Sequence, residues 1–380
     1  MPTAPEIAVI VSTFQRPQHL RRCLLSLALQ RGVAGRYEVA VVDDGSQDET
    51  AEMVARFARE VDFPLVFRTH QHQGFQLARC RNAGVRNSTA PYLLFTDGDC
   101  IFPADHLRQH LAARRPSVVR AGHCIRFDEA TSLRVDDAAI RSGDFATWGS
   151  AAERRLRGRH YRKAMFYQLI RHAERPKLVG WNMALARADL ERINGFDELF
   201  RGWGCEDDDL QRRLRAAGVR TATSIGYTHG FHLWHPPHAT TPARWHEGVN
   251  VDYFNRPLVL ARCMAGLERR RFEHLGVRVS GGQRQGKLAG QLAAAFPHHG
   301  GRLEIELLVA PTAARFSADS PGRVLVVPYG ERSSRRAARR AHAVIQLPAG
   351  QGAKHVLREL QRLLGLTASE QAGSSGSRAA

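Results

Sequence analysis

Apolar residues in the first hundred positions follow two alternating rhythms. The runs EIAVIVSTF, YEVAVVDDG, PLVFRTH and PYLLFTDGDC are short, rich in β-branched residues and nearly continuous in apolar character, as in strands buried on both faces. Between them, QHLRRCLLSLALQ, DETAEMVARFAREV and QHQGFQLARCRNAGV repeat apolar residues at helical spacing. Crossovers long enough to hold helices predict parallel pairing, hence an α/β fold whose ligands bind beyond the carboxyl ends of the strands. That edge would carry Ser12, Thr13 and Phe14 after the first strand, Asp43 and Asp44 after the second, and Asp97 and Asp99 after the fourth. A dinucleotide-binding domain would put GxGxxG after its first strand. STFQRP has no glycine, which removes the phosphate-binding turn that hydride transfer to such a cofactor needs.

The rhythm weakens between about 105 and 175. RFDEATSLRVDDAAIRSGDFATWGS is irregular, ERRLRGRHYRK reads as helix, and the stretch is expected to face an acceptor. From 178, LVGWNMALARADLERINGFDELFRGWGCEDDDLQRRLRAAG predicts a strand, a helix, a glycine-rich loop and another helix, followed by an extended TATSIGYTHGFHLWHPP. Past about 265, LEIELLVA, VLVVPY, HAVIQLP and AKHVLRELQRLLG predict a small α/β appendage, and the polar TASEQAGSSGSRAA a disordered tail. In RVSGGQRQGKL, Gly281, Gly286 and Lys287 satisfy G-x-x-x-x-G-K, but Leu288 stands where a hydroxyl must meet magnesium, so nucleotide hydrolysis is not expected there. The expected organisation is a domain over 1–265, with a nucleotide-binding half (1–104) and an acceptor half (105–265). A module of unreadable role (266–365) and the tail (366–380) follow.

Composition narrows the setting. With 380 residues, 43% of them hydrophobic, the chain can build real cores. No run approaches the ~20 apolar residues of a membrane-spanning helix, and MPTAPEIAVIVSTF lacks a signal-peptide layout, so a cytoplasmic protein is expected. The six cysteines show no CxxC spacing, which predicts reduced thiols rather than a zinc ribbon or disulfide framework. A formal charge of +18 calls for an anionic partner: nucleic acid, an acidic membrane surface or a phosphorylated ligand. The cationic runs at 153–163 and 331–342 lack the interleaved aromatics of a single-strand stacking platform. Solvated helix faces are their ordinary reading, and membrane association comes second.

Three clusters carry candidate chemistry. FTDGDC sets Asp97 and Asp99 at the end of a buried strand, where an oxygen-seeking divalent cation could bridge diphosphate oxygens; the plainer reading is an Asp-Gly turn with one capping carboxylate. YTHGFHLWHPPH holds His229, His232, His235 and His238, and one imidazole could complete a metal shell begun by Asp99, with His232 ahead of His235. FRGWGCEDDDLQRRLRAAG places Glu206, Asp207, Asp208 and Asp209 at a helix start. Acidic residues offset the macrodipole there, but a cap needs only one or two, and crowding like charges raises some pKa values.

VSTFQRP, VVDDGSQD, GFQLARCRNAG, FTDGDC, NGFDE and GWGCEDDD, in this order and spacing, resemble the family-2, GT-A-type nucleotide-sugar glycosyltransferases over roughly residues 6 to 245. The second half resembles the module found in galactosyltransferases and in bacterial chondroitin-type polymerases. The resemblance implies a GT-A fold, a Rossmann-like, mostly parallel sheet flanked by helices, and an inverting, metal-dependent hexosyl transfer, with Mn2+ or Mg2+ as cofactor. It implies that Thr13 and Asp44 contact the base and ribose, that Arg81 sits near the donor, and that Asp97 and Asp99 address the ribose and the metal-bound diphosphate. Phe14, Arg16, Asp43 and Gly74 join the nucleotide-sugar set, and Asp99, His232 and His235 the metal set. Asp207 matches the catalytic base, Glu206 the neighbour that grips the acceptor, and Trp203 with Gly204 the acceptor sugar site. A second soft metal ligand of the animal galactosyltransferases has no counterpart near HLWHP.

Direct displacement at an anomeric carbon needs a base on the acceptor hydroxyl and charge compensation for the departing diphosphate. Crowding at 206–209 would keep one of these carboxylates basic enough to accept a proton. The expected partners are a nucleotide-sugar, a UDP-hexose by resemblance, and a glycan or lipid-linked glycan, with peripheral contact to anionic inner-leaflet lipids and no nucleic acid. Surface polysaccharide or lipopolysaccharide synthesis is the expected setting. Two other classes fit parts of the pattern: a metal-dependent nuclease or phosphoesterase, and a non-enzymatic nucleic-acid binder that rests on net charge alone.

Overall fold

The computed structural model describes residues 4–237, 241–281, 286–297, 302–309, 316, 321–333 and 335–366. The chain divides into two units, Met1–Val251 and Asp252–Ala380.

In the first unit the four apolar runs form β1 (Ile7–Thr13), β2 (Tyr37–Asp43), β3 (Leu65–Thr69) and β4 (Tyr92–Asp97). The intervening helical rhythms form α1 (Pro17–Ala28), α2 (Thr50–Phe57) and α3 (Leu77–Arg86). All seven residues of β1 are buried, and Val9, Val11 and Leu94 pack with Leu20, Leu24 and Leu27 of α1 in one core. Such burial explains why these strands read as continuous apolar runs. Glu38, buried in β2, is satisfied rather than stranded: its carboxylate accepts hydrogen bonds from the backbone N–H groups of Thr89 and Ala90 at 2.6 and 2.7 Å.

Downstream lie β5 (Cys100–Ile101), α4 (His106–Ala113), β6 (Val118–Ala121), β7 (Cys124–Arg126), α5 (Glu129–Leu133), α6 (Asp137–Ser142) and α7 (Ala151–Leu169). They are followed by β8 (Met183–Ala186), α8 (Arg187–Arg192), α9 (Glu206–Ala216), β9 (Arg220–Thr223) and β10 (Gly230–His232). The main sheet has the order β3-β2-β1-β4-β8-β6-β9. β1 to β4 pair in parallel as expected, and β8 runs antiparallel to both β4 and β6. The expected α/β class with a mostly parallel sheet is what the chain adopts. A small second sheet, β5-β10-β7, sits where β4 has just ended.

The second unit holds four parallel strands in the order β11-β12-β13-β14: Val277–Gly281, Ile305–Val309, Gly322–Val327 and Ala343–Gln346. Helices Gly286–Ala294 and Ala353–Leu363 supply Leu292, Val356 and Leu360 to its core with Leu307 and Val324. The sequence predicted three of these strands but not β11, whose apolar run Arg278 and Ser280 interrupt. Residues 282–285 of that motif, and the tail from 367, lie outside the described residues. Among the described residues no helix is long and apolar enough to cross a membrane. All six cysteines are buried and outside any disulfide, as the sequence led us to expect.

Candidate functional site

Register brings the strand ends together. Thr13 pairs with Asp43 across β1 and β2, and Ser12 with Asp97 across β1 and β4. The chain turns sharply after Asp97, and β5 then pairs antiparallel with β10 so that His232 faces Cys100. The Leu233 N–H donates to the Asp99 carbonyl at 2.8 Å, fixing the histidine segment beside a carboxylate more than a hundred residues earlier.

The result is a compact donor set. Asp99 Oδ1 lies 3.4 Å from His232 Nε2, and Asp99 Oδ2 lies 3.1 Å from His235 Nε2 and 3.3 Å from an Arg16 guanidinium nitrogen. One ligand atom from each of Asp99, His232 and His235 falls within 4.8 Å of the others. Burial would raise Asp99, but the hydrogen bond from His235 and the charges of His232 and Arg16 hold its carboxyl well below the usual range. His232 is depressed by burial, against the pull of Asp99, whereas its hydrogen bond to Asp99 raises His235. A carboxylate with two imidazoles on one side of a cavity fits a divalent transition metal, with Arg16 as the cation that a bound metal must share Asp99 with. His229 stands elsewhere: Arg157 donates to its Nε2 at 2.8 Å. His238 lies outside the described residues.

The four crowded carboxylates have separate partners. Asn250 clamps the glycine-rich turn before α9, donating to the carbonyls of Gly202 and Gly204 at 3.1 and 2.9 Å. Gly204 itself has φ +96°, a left-handed conformation that any Cβ would strain. From this turn Asp207 accepts from Arg81 at 2.8 Å and from the Gly180 backbone N–H at 2.8 Å. Arg81, 1% exposed, also reaches Glu206 at 3.5 Å and Asp97 at 3.6 Å. Asp208 pairs with Lys177 at 3.0 Å, and Asp209 turns inward to Arg213 at 2.6 Å, both fully buried. Burial first, and then the charge of Asp207, push Glu206 up to about 8. Burial likewise carries Asp97 up to about 7 against the pull of Arg81, with Asp99 and Asp207 adding to the rise. Burial, with the charge of Asp207 behind it, therefore favours the protonated form of Glu206.

On the opposite flank, Asp44 accepts from the Gln76 N–H at 3.0 Å and contacts His70 Nε2 at 2.9 Å, while Phe14 stacks on His72 with ring centroids 4.5 Å apart. Thr13, Phe14, Arg16, Asp44, Arg81, Asp97 and Asp99 line one cavity of about 810 Å³ together with Trp203, Gly204, Glu206, Asp207, His232 and His235. Asp43 and Gly74 do not line it. The Asp43 carboxylate is spent on its own turn and on the neighbouring strand, accepting from Ser46 N at 2.8 Å and from Thr69 Oγ1 of β3 at 2.7 Å. Gly74, at φ +78°, shapes the turn ahead of α3.

Several lining residues were missed from sequence. Four of the five tryptophans, Trp181, Trp203, Trp234 and Trp245, line the cavity, which gives it flat apolar faces for rings; only Trp203 was expected there. Gly180 was missed as well. A Cβ at that position would meet the Arg81 guanidinium at 1.6 Å, so only glycine lets Arg81 reach Asp207. The signal was the GW pair in LVGWN, whose glycine interrupts an otherwise strand-like run.

Comparison with known proteins places two family models on this unit: "Glycosyl transferase family 2" over residues 8–122 and "N-terminal domain of galactosyltransferase" over residues 161–236. Validoxylamine A glucosyltransferase of Streptomyces hygroscopicus subsp. jinggangensis is 33% identical over 235 residues, 58% of this chain and 54% of that protein. Chondroitin synthase of Pasteurella multocida is 25% identical over 228 residues, 56% of this chain and 23% of that protein. The chain spans about half the length of the validoxylamine relatives it matches. Among solved structures, the mannosyltransferase PcManGT from Pyrobaculum calidifontis in complex with GDP-Man and Mn2+ aligns with a TM-score of 0.41 and 22% identity, over 64% of this chain and 60% of that one.

Proposed function

We propose that this chain, which carries a glycosyl transferase family 2 domain followed by a galactosyltransferase-type domain, transfers a hexose with inversion from a nucleotide-sugar to a hydroxyl of a glycan or glycolipid. The observation that carries the proposal is the single cavity that unites Asp99, His232 and His235 with Arg81 and Asp207.

Asp207 is the proton acceptor. Arg81 and the Gly180 N–H each hold one of its oxygens, fixing the carboxylate plane while leaving a lone pair on each oxygen for an acceptor O–H. As the acceptor oxygen bonds to the anomeric carbon, the bond from that carbon to the phosphate oxygen breaks. The proton passes to Asp207 and the electron pair leaves with the diphosphate. Glu206, protonated at neutral pH, offers an O–H to a neighbouring acceptor hydroxyl. Arg81 places a fixed cation between Asp97 and Asp207. Asp99, His232 and His235 are the residues that would hold Mn2+ or Mg2+, which supplies positive charge beside the departing diphosphate. Two imidazoles suit Mn2+ better than Mg2+. Phe14 and Asp44 form the flank suited to base and ribose, and the tryptophans offer faces to sugar rings.

A UDP-hexose donor and a lipid-linked glycan of a bacterial surface polysaccharide complete the reading. Nucleotide-sugars are cytosolic, so the reaction belongs on the cytoplasmic face of the membrane. Thermal-shift screening of nucleotide-sugars with and without manganese tests it: one donor class should raise the Tm, and more so with the metal. A chain whose Tm responds to none of them contradicts the proposal.

A further inference from the structure

We infer that the outward stripe of α7 docks on an anionic phospholipid bilayer. The helix has two faces at helical spacing. The inward one binds the body of the first unit: Arg157 donates to His229, Tyr161 packs over Gly226, Ala164 is buried, and Gln168 Oε1 accepts from the Thr223 N–H at 2.8 Å. The outward one runs Arg155, Arg159, Arg162, Phe166, Leu169, with the spacing i, i+4, i+7, i+11, i+14.

This outward stripe divides along its length. Its first half is cationic, and Arg154, Arg155, Arg159 and Arg162 line a shallow groove on the helix surface. Among the described residues none of Arg155, Arg159 and Arg162 enters an ion pair. Its second half is apolar and faces water, with Phe166 56% exposed and Leu169 81% exposed, flanked by exposed Met165 and Ile170. Residues 151–170 carry six cations, Arg154, Arg155, Arg157, Arg159, Arg162 and Lys163, against one acid, Glu153. The cations match a negative headgroup surface, and the adjacent large apolar side chains match the acyl boundary beneath it. A second copy of this chain complements the stripe poorly, since pairing would set arginines against arginines or against apolar side chains. Nucleic acid would leave Phe166, Leu169 and Ile170 in water.

The inference rests on the glycosyltransferase reading only for its purpose, which is to bring the cavity to a lipid-linked acceptor. Lipid binding itself requires no donor, so the two can fail separately.

The test is co-sedimentation of the full chain with vesicles of phosphatidylcholine alone or mixed equally with phosphatidylglycerol, at physiological salt. The chain should pellet with the anionic vesicles and be released by high salt. Replacing Arg155, Arg159 and Arg162 together with Gln should weaken partitioning by roughly a hundredfold, at about fivefold per cation. Phe166→Ser combined with Leu169→Ser should also release the chain, while both variants keep the parent's circular dichroism and its Tm shift with the donor. An intact chain that ignores anionic vesicles overturns the inference, as do arginine variants that pellet like the parent. So does a dimeric chain that Phe166→Ser with Leu169→Ser renders monomeric, which would make the face a contact between copies.

Discussion

Arg81 organises three carboxylates, and that arrangement sets different tasks for side chains one residue apart. Glu206 and Asp207 share the same guanidinium, yet burial lifts Glu206 from an ordinary 4.5 to about 8. In that window the folded chain keeps a proton that the unfolded chain has lost, so the Glu206 contribution to stability declines as pH rises from about 5 to about 8. Glu206→Gln removes the dependence. Thermal unfolding of parent and variant across that range should show the variant gaining on the parent with rising pH, by up to about 1.4 kcal/mol per unit. A constant difference between the two contradicts the protonated state assigned to Glu206. None of this division was legible in EDDD. The string announced excess acid, but which carboxylate meets Arg81, Lys177 or Arg213 depends on partners as far as 126 residues away.

Two tight backbone features position these elements. Gly180, just ahead of β8, leaves room for the Arg81 guanidinium, and a methyl group at 1.6 Å must expel it. Gly180→Ala should therefore strand buried carboxylates without their cation and destabilise the fold by about 3–5 kcal/mol, measured by urea unfolding. Unchanged stability would mean that Arg81 has another way to its partners. Asn250 ties the turn that presents Trp203 and α9. Asn250→Ala should raise the acceptor KM on the order of tenfold to a hundredfold while the donor Kd stays put, since only the acceptor side loses its anchor. An equal loss in donor binding contradicts that division of the cavity.

Elements differed in how openly the sequence declared them. β1, β2 and β4 were legible because burial on both faces leaves a continuous apolar run. α7 was readable as a helix but not as a surface, because its exposed residues are both charged and apolar and its single buried residue, Ala164, gives no stripe. β10, three residues long, falls inside the extended segment that the sequence predicted, but its pairing with β5, which sets His232 beside Asp99, was not legible there.

At the scale of the whole molecule, the formal charge of +18 is compatible with a lipid surface, a nucleotide or a nucleic acid, and composition could not choose among them. In the cavity of the first unit Arg16 and Arg81 already pair with Asp99 and Asp207, and Arg126 lies over the Trp181 ring, whereas the cations of α7 stand on an exposed surface. The ordered motifs made the parallel strands of the main sheet legible; the tryptophan lining was not, because it gathers aromatics spread from 181 to 245 into one cavity. The most direct test of the account pairs a transfer assay with calorimetric titration of the donor, in manganese, into Asp99→Ala and Asp207→Asn chains. Both should lose transfer by about a thousandfold or more, with donor affinity lost in Asp99→Ala and kept in Asp207→Asn. Full turnover by Asp207→Asn, or parental donor affinity in Asp99→Ala, would contradict it.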